Sequence, residues 1–251
     1  MHDISNLDLV IYFVVAFVAA FLSSVSGGGG GFITTPLLIF LGLSPAQAVS
    51  TGKISGLAIA VGSISGLRKG GVKYSKKQVI ILCAIALVVG LIVPVVLLNL
   101  KSGIYQKILG VFLILMIPFV IKNKTGENSF SPTKKQKGLG YILITLTMFI
   151  QGFTSTGVGI FVNLILMRLL GLKILTANIV KRYSQLILNL VIVMGVIFSG
   201  LIAWKIAIIG VVVNILGGHI GGKYATKIST NSARYFFVAF MLISGIALII
   251  T

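Results

Sequence analysis

The chain has 251 residues, of which 57% are hydrophobic and only 10% charged, and its mean hydropathy is +1.12. A water-soluble domain carries about 25% charged residues, so this composition excludes a soluble fold and predicts a helical protein that crosses the membrane several times. The formal net charge of +18 does not indicate nucleic acid, because the basic residues fall in short loops between apolar runs.

The N-terminal MHDISNLDLV lacks the basic leading region of a signal peptide, and Asp3 and Asp8 are two of only three acidic residues, the third being Glu127. Ten helical segments are expected: 8–26, 32–43, 45–67, 78–99 and 104–121, then 138–155, 160–171, 174–199, 202–222 and 233–250. The first segment runs into SSVSGGGGGFITTPLLIFLGLSP, Ser23 to Pro45, where five consecutive glycines interrupt an apolar stretch. Glycine costs about 1 kcal/mol relative to alanine in a helix interior, so a break is predicted at 27–31. The 12-residue segment that follows covers about 18 Å, too short to span comfortably. Ser44 as N-cap, Pro45 at the first helical position and Gln47 as partner of a capping box predict the start of the third segment. Cys83 is the single cysteine and lies mid-helix, so no intrachain disulfide forms. No cluster of His, Cys, Asp or Glu has metal-ligand spacing, and no metal or cofactor is expected.

The chain repeats itself at a shift of about 129 residues. Phe32 then meets Phe161, Gly42-Leu43 meets Gly171-Leu172, Lys53 meets Arg182, and Gly28 and Gly30 meet Gly157 and Gly159 in QGFTSTGVGIF. The expected organisation is a first repeat over 1–121, a basic cytoplasmic loop over 122–137 and a second repeat over 138–251. Five basic residues lie at 68–77, five at 122–137, two at 168–173 and three at 223–234, whereas only Lys101, Lys107 and Lys205 fall on the other side if each half has five segments. Basic loops stay cytoplasmic. Four crossings per half would leave eleven inside against seven outside. The five-segment count puts the N-terminus outside and inverts the second half, an arrangement found in secondary transporters with a midplane site.

The break has chemical consequences. A short helix that begins at Phe32 presents unpaired N–H groups and the positive end of its dipole, which favour an anion. Glycine lets backbone approach a ligand closely. Candidate binding residues are therefore Ser26, Gly28, Gly29, Gly30 and Thr34, with Thr35 beside them, and in the second half Ser155, Thr156 and Gly157. The alternative is that these small residues only permit close helix packing; their recurrence before a short segment in both halves favours the anion site. Lys53 and Arg182 each lie eight residues into a segment, about 12 Å deep. A cation at that depth costs about 2.5–3.5 kcal/mol on insertion scales, and Asp8, the first residue of the first segment, is the only carboxylate in any segment. Their available partners are carbonyls, water or a bound anion. Lys181, about 100° away from Arg182 on the helix, is expected to snorkel to an interface. Gln151, Asn163, Asn178, Gln185 and Asn214 either line the path or join helices, and His219 is a candidate proton carrier or a hydrogen-bonded structural group.

Taken together, SGGGGGFITTPLLIFLGLSPAQAVSTGKIS, its weaker partner QGFTSTGVGIFVNLILMRLLGL and the two-half plan resemble the sulfite exporter TauE/SafE family. The resemblance implies a transporter in the bacterial inner membrane that moves small anions such as sulfite or organosulfonates, embedded in lipid and without nucleic acid. An anion or neutral-solute channel built on paired half-helices is the competing expectation; an intramembrane enzyme lacks a nucleophile–base pair and a carboxylate dyad.

The topology is directly testable. In a Cys83-free background, a cysteine at Ser5 is expected to react with an impermeant thiol reagent in intact cells, and one at Thr133 is not. The opposite pattern would overturn the charge-based orientation.

Overall fold

A computed structural model describes residues 6–28, 30–98, 131–154 and 158–227, and isolated positions among 107–118 and 239–246. Eight α-helices are described: α1 Asn6–Ser26, α2 Gly31–Phe40, α3 Pro45–Lys69, α4 Lys76–Leu97, α5 Lys134–Thr154, α6 Gly159–Arg168, α7 Ile174–Val196 and α8 Trp204–Tyr224. No strand occurs among the described residues. The chain is a multi-pass membrane protein: α1, α3, α4, α7 and α8 are long and apolar enough to cross a bilayer. The segments expected at 104–121 and 233–250 lie largely outside the described residues.

Local chemistry sets the helix ends. The Ser44 hydroxyl accepts from the Gln47 N–H at 3.3 Å and the Gln47 side chain accepts from the Ser44 N–H at 3.2 Å, so the predicted capping box starts α3. Both short helices have 10 residues, about 15 Å each, half the hydrocarbon thickness of roughly 30 Å. Each is followed by a glycine with positive φ, Gly42 at 88° and Gly171 at 68°. These two glycines face each other in the repeat alignment, and a side chain would resist that conformation.

The outside of the bundle is apolar. Leu7, Phe13 and Val14 of α1, Leu91 and Val95 of α4, Ile142 and Leu146 of α5, and Ile208 and Val212 of α8 are exposed, as a lipid-facing surface requires. The middle is polar. The α3 helix is the most buried of the five spanning helices and α7 the next; their buried residues include Ser50, Thr51, Lys53, Asn178, Lys181, Arg182 and Gln185. Packing is paired between the halves: α3 lies on α8 and α7 on α4, α1 on α8 and α5 on α4, α2 on α3 and α6 on α7, while α3 and α7 contact each other.

Glycines set the closest of these approaches. On α3, Gly62 and Gly66 face the α8 backbone at Ile215, His219 and Gly222, and on α8 Gly218 and Gly222 face Ile59, Ser63 and Leu67 of α3. The alternate pair Gly217 and Gly221 faces Phe17 and Phe21 of α1. The GGHIGG run of α8 is thus a double seam, one edge for each neighbour. Ser24 and Ser63 hydrogen-bond across α1 and α3, and Tyr12 Oη lies 2.9 Å from Ser55 Oγ.

A methyl group on Gly218 would stand 2.9 Å from the Ile59 carbonyl oxygen and 3.2 Å from the Ser63 nitrogen. Gly218→Val is expected to lower stability in detergent by about 1–3 kcal/mol through overpacking, whereas Gly138→Ala, in open space on α5, should raise it by about 0.5–1 kcal/mol. A thermal unfolding midpoint that is unchanged in Gly218→Val would mean that the seam is not close-packed.

Candidate functional site

The predicted break is present. The α1 helix stops at Ser26, Gly27 takes φ +82°, and α2 begins at Gly31. Gly27, Gly28 and Gly30 are buried, inside the protein rather than against lipid. In the second half α5 stops at Thr154 and α6 begins at Gly159. Four candidates, Gly29, Ser155, Thr156 and Gly157, lie outside the described residues. The two breaks meet: a methyl group on Gly28 would lie 2.9 Å from the Ile160 nitrogen and 3.1 Å from the Gly159 carbonyl carbon. No side chain fits between them, so Gly28 is where one half's interrupted backbone touches the other's.

Interrupting a helix creates two ends. The last four carbonyls of the long helix lose their partners just as the first four N–H groups of the short one do. In lipid those carbonyls must be satisfied by the protein. On α1, the Ser23 carbonyl accepts from Arg182 Nη2, and the Ser24 carbonyl accepts from Asn178 Nδ2 at 2.9 Å. Just past the helix, the Gly27 carbonyl accepts from Asn163 Nδ2 at 2.7 Å and from Lys181 Nζ. On α5, the Gln151 carbonyl accepts from Lys53 Nζ at 2.6 Å. The pattern crosses the halves: Arg182 of α7 holds the end of α1, and Lys53 of α3 holds the end of α5. A cation at a helix C-terminus also meets the negative end of the dipole.

The sequence expectations for these side chains divide. Lys53 and Arg182 are buried, with 0% and 2% exposure, and of the partners open to them in sequence the described residues supply carbonyls. Lys181 departs from expectation. It does not snorkel; its exposure is 0% because its stem runs inward to the Gly27 carbonyl, which needs a donor. The Ser26 hydroxyl lies 2.8 Å from both the Leu22 and Gly28 carbonyls, and Thr34 Oγ1 donates to the Gly30 carbonyl at 3.2 Å. Those hydroxyl protons serve the backbone in this conformation. Thr35 Oγ1 is buried with no hydrogen-bond partner among the described residues. Gly30 packs on Ser23 and Ala19 of α1. His219 stands apart from the junction, its Nδ1 3.1 Å from Ser65 Oγ across the α3–α8 seam.

Sequence reasoning considered the N-termini of the short helices and missed the C-termini of the long ones. The signal was available: Asn178, Lys181, Arg182 and Gln185 follow the i, i+3, i+4, i+7 spacing of one helix face. Asn189, one turn further along, is also buried, and neither of its amide atoms has a partner among the described residues.

The electrostatics of the junction are one-sided. Three cations, Lys53, Lys181 and Arg182, are buried near the two helix ends. Asp8 is the only carboxylate among the described residues and lies in the first turn of α1. That is 15 residues before Ser23, about 22 Å along the helix. The described partners of these three side chains are carbonyls, the Gln185 amide and the Ser23 hydroxyl.

The sulfite exporter TauE/SafE family profile matches residues 12–248. A Haemophilus influenzae protein named "Probable membrane transporter protein" is 31% identical over 224 residues, covering 86% of this chain and 84% of its own. A Sinorhizobium protein named "Probable membrane transporter protein ORF9" is 27% identical over 228 residues, covering 90% and 86%. The Escherichia coli K12 protein named "Probable membrane transporter protein YfcA" is 27% identical over 227 residues, covering 88% and 81%. No solved structure matches the chain. With a profile match that takes in both breaks, most of α1, the other seven described helices and the three buried cations, the chain belongs to the sulfite exporter TauE/SafE family.

Proposed function

We propose that this protein is a secondary transporter that exports small anions such as sulfite or organosulfonates by alternating access around the junction of the two breaks. One observation carries the reading: two interrupted helices touch at Gly28 and Ile160, beside three buried cations that have no carboxylate near them among the described residues. Neutral Asn163 and Asn178 also donate to these exposed carbonyls, so capping alone does not call for charge, and each cation costs about 2.5–3.5 kcal/mol to bury at the bilayer centre. A mobile anion offsets the cost whenever it occupies the site. The family membership and the transporter names of the relatives support the same function.

We also propose that the halves are inverted repeats. Support comes from the exchange symmetry of the packing, from the positive-φ glycines Gly42 and Gly171, and from the equivalent roles of Lys53 and Arg182 at the ends of α5 and α1. Two related halves with one shared interface have the geometry in which rocking moves access from one side to the other. Each exported negative charge would gain about 2.3 kcal/mol per 100 mV of inside-negative potential, so the charge of the anion itself can drive efflux. His219, hydrogen-bonded to Ser65 outside the junction, is not needed as a proton carrier.

Purified protein in proteoliposomes is expected to show saturable sulfite flux with trans-stimulation; flux without counterflow would indicate the channel instead. Lys53→Met and Arg182→Met should each cut flux by more than tenfold. Both variants should still fold, with a lowered thermal unfolding midpoint because the Gln151 and Ser23 carbonyls each lose a donor, so flux is compared at a temperature where all three proteins are folded. Arg182→Lys should retain part of the activity, since an ammonium cannot reach the Ser23 carbonyl and Gln185 with the geometry of a guanidinium. Normal flux in both Met variants would move the site elsewhere.

The role of His219 can be tested separately. His219→Asn, which keeps a side-chain hydrogen-bonding group near Ser65, is expected to transport at close to the wild-type rate at pH values on either side of neutrality. A loss of flux restricted to the variant, with a normal unfolding midpoint, would restore the histidine as a proton carrier.

A further inference from the structure

The junction is not equally rich in available donors on all sides. Lys53 donates to Gln151, and Arg182 donates to the Ser23 carbonyl, to Ser23 Oγ at 3.0 Å and, through Nη1, to Gln185 Oε1 at 3.1 Å. That last bond fixes the Gln185 amide. Its oxygen faces Arg182, so its nitrogen must point the other way. The nitrogen is aimed at the first residue of α6: a methyl group placed on Gly159 would lie 2.9 Å from Gln185 Nε2 and 3.4 Å from Lys181 Nζ. Gln185 is only 2% exposed, and Nε2 has no hydrogen-bond partner among the described residues. An unmet buried amide donor costs about 1–3 kcal/mol, which argues that something else accepts from it.

The other donors at this place have the same polarity. Gly159 and Ile160 are the first two residues of a 10-residue helix whose N-cap, Val158, supplies no side-chain cap, so their N–H groups sit at a positive helix end. Lys181 carries three N–H donors, of which the Gly27 carbonyl takes one. Backbone, amide and ammonium donors thus converge at Gly159, a position where any side chain would collide with Gln185 Nε2.

We infer that a small oxyanion seats at the N-terminus of α6, held by the Gly159 N–H group, Gln185 Nε2 and Lys181 Nζ, and that Lys181 and Gln185 are the side chains that contact it. This deepens the anion-transport reading and rests on it. Lys53 and Arg182 then act as positioning residues: they hold the α1 and α5 ends, and Arg182 additionally orients Gln185. Donors that arrive from three directions suit an anion with several oxygens on one centre, such as sulfite, a sulfonate or a carboxylate, and not a halide. The seat belongs to the second half, so the two breaks differ in task even if they are related in origin.

The test is a thermal-unfolding titration of the purified full chain with sodium sulfite, sodium ethanesulfonate and sodium acetate, with sodium chloride at equal ionic strength as reference. A ligand that binds the folded state raises the midpoint by mass action. Wild type is expected to respond to at least one oxyanion. Gln185→Glu retains an acceptor for Arg182, so its ligand-free midpoint should hold, but it places a carboxylate oxygen where the N–H donor was; its anion response should disappear. Gln185→Met and Lys181→Met should each raise the apparent Kd at least tenfold, and Lys173→Met, exposed at the start of α7, should leave it unchanged. If Gln185→Met does not fold, Gln185→Asn, which withdraws the donor by one methylene, should show the same weakening. An unchanged Kd in Gln185→Glu or Lys181→Met overturns the seat while leaving anion transport standing. A wild type that responds to none of the oxyanions sinks both.

Discussion

The structure depends on one requirement: a peptide chain that stops being helical inside a membrane must find protein partners for the carbonyls it exposes. Lipid offers no hydrogen bonds, and each unmet group costs several kcal/mol. The glycine run after Ser26 creates that debt at Ser23, Ser24 and Gly27. Arg182, Asn178, Asn163 and Lys181 meet it. All four come from the other half of the chain. The polar face of α7 therefore has to lie against the end of α1, and that contact fixes how the two halves sit together.

The rest of the arrangement follows from keeping this polar junction away from lipid. Because α3 and α7 carry the cations, they occupy the interior, and α1, α4, α5 and α8 turn apolar faces outward. Lys53 makes the reciprocal contact to the end of α5, so each half stabilises the broken helix of the other. A separated half would bury cations without carbonyls and expose carbonyls without donors. The two stretches of sequence share one interior, whatever their origin as repeats.

Glycine has two different uses in this chain, and composition alone does not separate them. At Gly62, Gly66, Gly217, Gly218, Gly221 and Gly222 it lies within continuous helices and permits backbone contact between α3, α8 and α1. At Gly27 it supplies a positive φ, and at Gly28 it lets one break touch the other. Spacing distinguishes them. Glycines four apart along a helix form a seam, whereas five in a row leave too little side chain to hold a helix at all.

The sequence by itself determined the class of protein, the helices and the break. Apolar runs of membrane length, a run of five glycines and the Ser44–Pro45–Gln47 cap are local signals, and they act through local physics: helix propensity, capping and the cost of charge in lipid. It also marked Lys53 and Arg182 as buried cations, because depth along a helix follows from residue count. Only the tertiary structure decided what those cations touch. The partners of Lys53 and Arg182 are carbonyls 98 and 159 residues away, and a backbone carbonyl is present at every position, so no residue type announces it. The same reason hid Lys181, whose direction depended on where the Gly27 carbonyl would be, and Gln185, whose free nitrogen is fixed by a bond its oxygen makes to Arg182. A carbonyl becomes an acceptor in need of a donor only when its helix ends, and which donor reaches it is a property of how helices pack.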